Sequence, residues 1–215
     1  MNYVISMKNN LGYKWYDLCE KDKKIFVKGL FIIDDTIYQG MDLAEYVMAQ
    51  TTPSLLDSCK LADGHFSIVI YDKSGVTIIS DHMRSFPIFI VKSKLYTITD
   101  TIDGEYLDMS NFDYVQKRAF ENALFTFEEK TLFSNITQVP AGSYCTVSDS
   151  GIIFNDYWKF SYAQKQVSDI DTATSIISKG YDKLFSLCKN LVGDRTVVLP
   201  LSGGYDSRLV LNGLL

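Results

Sequence analysis

Hydrophobic and polar positions between residues 25 and 157 follow the period of β-strands. β-branched and aromatic residues run from Ile25 to Ile33, and a second run, from His65 to Tyr71, alternates before a turn at 72–75. Because Val76 to Ser80 returns from that turn, the second run predicts a β-hairpin. Similar runs around short polar turns predict two more hairpins, which pair 87–91 with 95–98 and 143–147 with 152–155.

Short helices are predicted between these strand pairs. The candidate helices cover 42–48, 54–61 and 111–123, and each begins at a residue that suits an N-cap: Asp42, Ser54 and Asn111. Strand pairs with helices on their outer faces are typical of a layered arrangement of helices and antiparallel strands. No internal repeat or low-complexity segment interrupts this pattern.

The pattern changes after Trp158. Apolar residues recur every three or four positions from Ala173 to Leu191, which predicts an amphipathic helix. An apolar run, Thr196 to Leu201, predicts a buried strand, and a second helix is expected from Arg208 onward. A helix, a strand and a helix in this order are typical of the beginning of a parallel α/β sheet.

This change divides the chain into two predicted domains, 1–165 and 166–215. The 215 residues are 47% hydrophobic, with a net charge of -5 and an isoelectric point near 5.0. Since no basic cluster is present, neither nucleic acid nor an anionic membrane is expected as a partner. The N-terminus lacks a signal-peptide pattern and no apolar run has the length of a membrane span, which predicts a cytoplasmic protein. Four cysteines and two histidines lie far apart, so we expect buried thiols and no soft-metal site.

The six residues after the predicted strand carry the clearest chemistry. Gly203 and Gly204 lack Cβ atoms, so their backbone can adopt positive φ and let a pyrophosphate approach the N–H groups of a helix N-terminus. Ser202 and Ser207 add a hydroxyl group at either end of this loop. Asp206 would repel phosphate unless a divalent cation lay between them, which predicts Mg²⁺ together with a nucleotide.

A structural role for the same loop is the alternative. In that interpretation the segment is a glycine-rich turn, and Asp206 and Ser207 only cap the last helix. The strand before the loop and the helix after it favour the nucleotide site. The loop has no lysine, which excludes the Gly-x-x-x-x-Gly-Lys-Ser/Thr type of phosphate site. Arg208 either reaches a phosphate or a substrate carboxylate, or stays solvated on the first turn.

Residues Ser202 to Ser207 resemble the Ser-Gly-Gly-x-Asp-Ser loop of the ATP pyrophosphatases, which split ATP between its α and β phosphates. Earlier segments narrow the resemblance to one family. In order and spacing they are similar to the glutaminase domain of glutamine-dependent asparagine synthetases: Leu61 to Phe66, Ile70 to Asp72, Ser80 to Phe89, Val139 to Tyr144 and Asp156 to Trp158. The resemblance covers roughly residues 25–215.

The resemblance implies an α+β fold of the Ntn-hydrolase type, a four-layer αββα sandwich with antiparallel sheets. The first helix, strand and helix of a parallel α/β ATP pyrophosphatase (PP-loop) domain would follow. In that family an N-terminal cysteine hydrolyses glutamine, and the ammonia passes to an acyl-adenylate formed from aspartate and ATP. Pyrophosphate would bind at Ser202, Gly203, Gly204, Asp206 and Ser207, with Mg²⁺ at Asp206.

Three departures concern the glutaminase half. Asn2 follows the initiator methionine, and its amide is no nucleophile, so the cysteine that the mechanism needs is missing. The Asn-Gly-Glu segment that lines the family's glutamine pocket appears as Lys28-Gly29-Leu30, and Arg84 replaces a glycine. Asp42 matches the acid that binds the glutamine amine, but we favour its role as an N-cap.

No other side chain replaces the missing cysteine. Ser6, Cys19 and Thr36 are the nearest groups of the right type, but none is N-terminal without cleavage and none has a recognisable base beside it. His82 is expected to make structural hydrogen bonds, because no third group is visible to orient its imidazole. The sequence therefore predicts that this half does not hydrolyse glutamine.

The resulting prediction is part of an ATP-dependent ligase that adenylates a small-molecule or peptide carboxylate and forms an amide, with ATP and Mg²⁺ as cofactors. Ammonia or an amino group of the substrate would supply the nitrogen, and a homodimer is compatible with the resemblance. The 215-residue chain alone is expected to be inactive, because further sequence must complete the site. The alternative is a non-catalytic binding or scaffolding domain; an enzyme that modifies tRNA is disfavoured by the acidic composition.

Overall fold

The computed structural model describes residues 3–10, 12–161, 167 and 169–215. These residues form two compact units, Met1–Phe160 and Ser161–Leu215. The predicted boundary between residues 165 and 166 falls in the stretch 162–166, which lies outside the described residues.

The described part of the first unit is an α+β structure with two sheets. Its strands are β1 (Tyr3–Ser6), β2 (Trp15–Glu20), β3 (Lys23–Ile33), β4 (Thr36–Gln39), β5 (Asp63–Asp72), β6 (Gly75–Ser80), β7 (Phe89–Lys92), β8 (Tyr96–Thr99), β9 (Ile136–Gln138), β10 (Ser143–Ser148) and β11 (Gly151–Asp156). The α-helices of the whole described chain are α1 (Gly40–Met48), α2 (Thr52–Leu61), α3 (Tyr114–Ala123), α4 (Ile170–Val192) and α5 (Tyr205–Leu214). Two 3₁₀ turns, Gly104–Tyr106 and Met109–Asn111, precede α3.

The larger sheet has the strand order β11-β10-β6-β5-β3-β2, and β4 pairs with β3. Its pairs are antiparallel. The three predicted hairpins are confirmed as β5–β6, β7–β8 and β10–β11. The smaller sheet has the order β1-β8-β7-β9, in which β1 lies parallel to β8. The sheets are antiparallel as predicted except at this edge, where a long crossover brings the N-terminal strand to β8 in the parallel direction.

Alternation along the strands of the larger sheet directs side chains into two separate cores. On one face, Ile25 of β3 packs with Leu43 of α1 and Leu55 of α2. On the other face, Val69 of β5 packs with Ile90 of the smaller sheet. The described residues thus show a helical layer and two packed sheets, and the second helical layer of the expected sandwich remains a prediction.

Three helix starts in the first unit differ from the predicted ones. Helix α1 begins two residues before Asp42, which lies in the first turn and not at the N-cap. Thr51, not Ser54, caps α2, and its hydroxyl accepts a hydrogen bond from the Ser54 N–H at 3.4 Å. Asp113, not Asn111, caps α3. In each case the residue predicted as the N-cap is polar and lies close in sequence to the observed N-cap, but the helical conformation begins at a different position.

The described part of the second unit contains the helices α4 and α5. The amphipathic helix predicted from Ala173 to Leu191 is confirmed as α4. The strand predicted over 196–201 is wrong, since these residues adopt no regular structure. A strand needs a neighbouring strand to complete its backbone hydrogen bonds, and no described residue pairs with this run. None of the described helices combines the length and the apolar character that crossing a bilayer requires.

Candidate functional site

The predicted phosphate loop lies at the N-terminus of α5. Helix α5 begins at Tyr205, so Asp206 and Ser207 belong to its first turn and only 202–204 precede it. The N-cap is Gly204, which has no side chain to accept a hydrogen bond from the first-turn N–H groups. In the structural alternative, Asp206 and Ser207 cap the last helix. The N-cap is instead Gly204, and both of those residues lie inside the helix.

Two serines hold the loop in a closed arrangement. The hydroxyl oxygens of Ser202 and Ser207 lie 3.1 Å apart, and the Ser202 N–H donates to the Ser207 hydroxyl at 3.2 Å. The Gly204 N–H donates to the Ser202 hydroxyl at 3.3 Å. Arg208 donates to the Gly203 carbonyl oxygen at 3.3 Å, so its guanidinium lies over the loop. The structure brings all of the predicted loop residues together on the surface.

The glycines of the loop are not required by its backbone conformation. Gly204 has φ of -80°, and neither glycine adopts positive φ, so the loop does not use the conformational freedom that glycine offers. A Cβ atom on Gly203 would meet nothing within 4 Å, and one on Gly204 would meet only the Ser202 hydroxyl at 3.5 Å. The missing side chains therefore leave open space in front of the helix N-terminus.

Asp206 stands alone as a carboxylate at this site. Its side chain makes no hydrogen bond or ion pair with any residue that the structure describes. Within the described chain, no group of three or more His, Cys, Asp or Glu side chains is arranged to hold a metal ion. A cation here would take one ligand from the protein and the others from a phosphate or water, as Mg²⁺ commonly does.

In the first unit, Asp81 organises the segments that carry the family resemblance. Its buried carboxylate accepts hydrogen bonds from the N–H groups of Phe66 at 2.9 Å, Met83 at 2.7 Å and Ser85 at 3.2 Å. Its carbonyl oxygen accepts from the Gly142 N–H at 2.8 Å. Three segments that are separate in the sequence are therefore joined through one aspartate.

The same hub continues through Gly142 to the end of the unit. The Gly142 carbonyl oxygen accepts hydrogen bonds from the N–H groups of Tyr157 and Trp158, both at 3.0 Å. His82 stacks on Trp158 with ring centroids 4.3 Å apart, and its Nε2 lies 3.0 Å from the Cys59 carbonyl oxygen. His82 thus makes the structural contacts expected of it.

Lys28-Gly29-Leu30 lies inside strand β3 and not in a turn. Gly29 has φ of +102°, and a Cβ atom there would clash with the His65 carbonyl oxygen, so only glycine fits. Leu30 is buried. Lys28 is 2% exposed, and its ammonium donates to the Asn9 carbonyl oxygen at 2.6 Å.

Two aromatic rings complete the surroundings of Lys28. Its Nζ lies 5.1 Å from the centre of the Phe86 ring and 5.8 Å from the Trp15 ring, within the range of cation–π attraction. Burial lowers the pKa of Lys28, and the nearby charge of Asp100 opposes this shift. The Lys28 ammonium therefore makes its contacts with groups of this chain.

No sequence pattern predicted a role for Asp100, which holds the N-terminal segment in place through hydrogen bonds. Its carboxylate accepts from the N–H groups of Lys8 at 2.8 Å and Asn9 at 2.9 Å, and from the Trp15 indole at 2.6 Å. No local pattern marks this aspartate, because its partners are far away in the sequence. Asn2, which stands where the resemblance places the N-terminal cysteine, lies outside the described residues.

The thiols provide no described substitute for an activated cysteine. Burial raises the pKa of both Cys59 and Cys145 to about 12, which keeps these thiols protonated at neutral pH. Cys19 is exposed on β2, so the expectation of buried thiols is wrong there. His65 does contact a hydroxyl, since its Nδ1 lies 2.8 Å from Ser85 Oγ, but no described acid orients this imidazole.

No protein-family model and no curated protein matches the chain. Among solved structures, it is similar to the glutamine phosphoribosylpyrophosphate (PRPP) amidotransferase from B. subtilis complexed with ADP and GMP, with a TM-score of 0.37 and 11% identity, over 65% of this chain and 30% of that chain. A second match is described as the allosteric regulatory enzyme of purine biosynthesis, with a TM-score of 0.39 and 12% identity, over 93% of this chain and 44% of that chain. The chain spans less than half of the length of either structure.

Proposed function

We propose that this chain is part of an ATP-dependent, amide-forming ligase similar to the asparagine synthetases, whose Ntn-type glutaminase-like unit no longer hydrolyses glutamine. The observation that carries the proposal is the start of α5. There the hydroxyls of Ser202 and Ser207 lie 3.1 Å apart, beside two glycines with open space where side chains would be. The N–H groups in the first turn of α5, which have no acceptor within the helix, together with the two hydroxyls and room for an anion, suit a pyrophosphate.

The donor set also fits a nucleotide that carries Mg²⁺. First-turn N–H groups and the two serine hydroxyls would bind phosphate oxygens, while Asp206 would supply the single protein ligand to the cation. ATP would activate the carboxylate of a small molecule or peptide, and the residues of the loop would hold its pyrophosphate in place. Arg208, which lies over the loop, would offset negative charge on the phosphates.

The state of the first unit supports an external source of nitrogen. Asn2 cannot act as the nucleophile, and Lys28 is buried in contacts with Asn9 and two aromatic rings. Ammonia or an amino group of the substrate would then attack the activated carboxylate. Purified, untagged protein is expected to release no glutamate from glutamine. Release that a thiol-alkylating reagent abolishes would contradict this part of the proposal.

ATP–pyrophosphate exchange by the full-length protein, measured across a panel of carboxylates, tests the ligase. We expect Gly204→Ala to reduce exchange by about tenfold or more, because the added methyl group occupies space that the phosphate needs. Gly180→Ala on α4 is the control, since a Cβ atom there meets nothing within 4 Å and the residue lies outside the loop. Asp206→Asn should raise the Mg²⁺ concentration needed for half-maximal exchange.

Two outcomes would contradict the ligase. One is the absence of exchange with every carboxylate tested, and the other is equal exchange by Gly204→Ala and the wild type. In either case a non-catalytic binding or scaffolding role becomes the better explanation. The contact between Ser202 and Ser207 favours that second candidate, because each hydroxyl has a hydrogen-bond partner within the loop itself.

A further inference from the structure

A cavity of about 340 Å³ lies within the first unit, and all of its lining residues belong to that unit. Its size is at the lower end of the range of roughly 300–1,000 Å³ for sites that bind small molecules. Apolar and aromatic side chains form most of its wall, including those of Phe89, Ile102, Leu107, Phe120, Phe125 and Phe133. Arg84 is the charged residue that lines it.

The neutral polar side chains that line the cavity make hydrogen bonds with other groups of the chain. Gln138 donates from its side-chain amide to the Lys130 carbonyl oxygen at 2.9 Å and to the Thr126 hydroxyl at 3.2 Å. The Thr126 hydroxyl donates to the same Lys130 carbonyl oxygen at 2.7 Å, and the Thr131 hydroxyl lies 2.9 Å from the Ile136 carbonyl oxygen. The guanidinium of Arg84 is therefore the group left to meet a ligand.

Arg84 is half-buried but makes no hydrogen bond or ion pair through its side chain with any described residue. Burial lowers the pKa of its guanidinium, in keeping with a cation that has lost part of its water. A half-buried cation that no described group pairs with has lost hydration without a replacement, so a bound anion would stabilise this arrangement.

The backbone at Arg84 is held in place by the hub. Arg84 has φ of +54°, a conformation that glycine adopts without strain and arginine does not. Its N–H donates to the Asp81 carbonyl oxygen at 3.2 Å, and the Asp81 carboxylate accepts from both neighbouring residues, Met83 and Ser85. The rigid turn places the arginine side chain at the cavity in spite of the strain.

We infer that this cavity binds a small molecule with one carboxylate group, which pairs with Arg84, and an apolar or aromatic body, which contacts the phenylalanine-rich wall. A guanidinium can bind both oxygens of a carboxylate. A phosphate dianion would keep a negative charge that these apolar walls cannot solvate. The site shares no residue with the nucleotide loop, so the inference can fail or hold independently of the proposed ligase.

Binding of two probes of the same shape tests the inference. The probes are 3-phenylpropanoate and its neutral analogue 3-phenylpropanamide, titrated into the full chain and followed by amide NMR shifts. We expect the carboxylate to bind roughly tenfold more tightly than the amide, as a charge-assisted hydrogen bond provides. Phe125→Ala, on the cavity wall, should weaken both probes to a similar degree.

Arg84→Gln and Arg118→Gln form the matched pair of variants. Both remove one positive charge, but Arg118 is exposed on α3 and does not line the cavity. Arg84→Gln should abolish the preference for the carboxylate, whereas Arg118→Gln should retain it. If Arg84→Gln does not fold, as judged by circular dichroism, Arg84→Lys replaces it and should show a reduced preference. No binding of either probe, equal binding of both, or an unchanged preference in the Arg84 variant would overturn the inference.

Discussion

At the residue scale, single side chains join segments that are far apart in the chain. Asp81 was visible in the sequence as part of a motif, but its role follows only from the three N–H groups that converge on its carboxylate. Arg84 shows the opposite case. The sequence shows an arginine where a glycine is expected, and the structure retains the left-handed backbone conformation that suits glycine.

We predict that Asp81→Asn destabilises the protein by about 3 kcal/mol, because an NH₂ group would face N–H donors that need an acceptor in a buried site. Urea unfolding measures the change in the free energy of unfolding. Asp57→Asn is the control, since Asp57 is exposed and, among the described residues, its carboxylate pairs with Lys60 one helical turn away. That change should stay within about 0.5 kcal/mol. Equal effects of the two substitutions would show that the Asp81 hub does not stabilise the fold.

At the scale of elements, local sequence patterns predicted where the helices lie more accurately than they predicted the residue at which each helix begins. Helix α3 illustrates the reason. Both Asn111 and Asp113 suit an N-cap, and only the path of the backbone decides which one accepts hydrogen bonds from the first turn. Strand formation depends still more on surroundings. The run 196–201 is apolar and has a strand-like composition, yet no described strand lies beside it.

The choice of cap for α3 is directly testable. The Asp113 carboxylate accepts from the N–H groups of Val115 at 2.9 Å and Gln116 at 3.0 Å. Asp113→Ala should therefore lower the free energy of unfolding by about 1 kcal/mol. Asn111→Ala should change it by less than about 0.5 kcal/mol, because the hydrogen bond that the Asn111 side chain makes with a described residue is a long, exposed one to Asp108 at 3.4 Å. A larger effect at Asn111 than at Asp113, in thermal or urea unfolding, would contradict this assignment.

At the scale of the whole molecule, the N-terminal segment connects the two sheets of the first unit. Strand β1 pairs with β8 in the smaller sheet, and Asn9 accepts a hydrogen bond from Lys28 in the larger one. Asp100, directly after β8, holds the segment from the other side. Because burial lowers the pKa of Lys28, this lysine contributes to the pH dependence of the stability of the first unit.

The pKa of Lys28 in the folded state is lower than its ordinary value of 10.5. At a pH between these two pKa values, the unfolded chain binds more protons than the folded chain. Stability from this group is lost as the pH falls through the folded pKa and is fully present above 10.5. We therefore expect the wild type to gain stability relative to Lys28→Met as the pH rises towards 10.5. Urea unfolding of both proteins at several pH values measures the difference between their free energies of unfolding. Taking this difference cancels the contributions of the other titrating groups. A difference that falls with pH, or does not change, would contradict the prediction.

The sequence by itself determined the strand periodicity, the three hairpins, helix α4 and the chemical character of the loop from Ser202 to Ser207. These features depend on residues within a few positions of one another, so composition and spacing are sufficient to predict them. Only the tertiary structure decided the parallel pairing of β1, the irregular conformation of 196–201, the burial of Lys28 and the place of Arg84 at a cavity. Each of these depends on contacts between distant segments, whose hydrogen bonds and packing outweigh local preference.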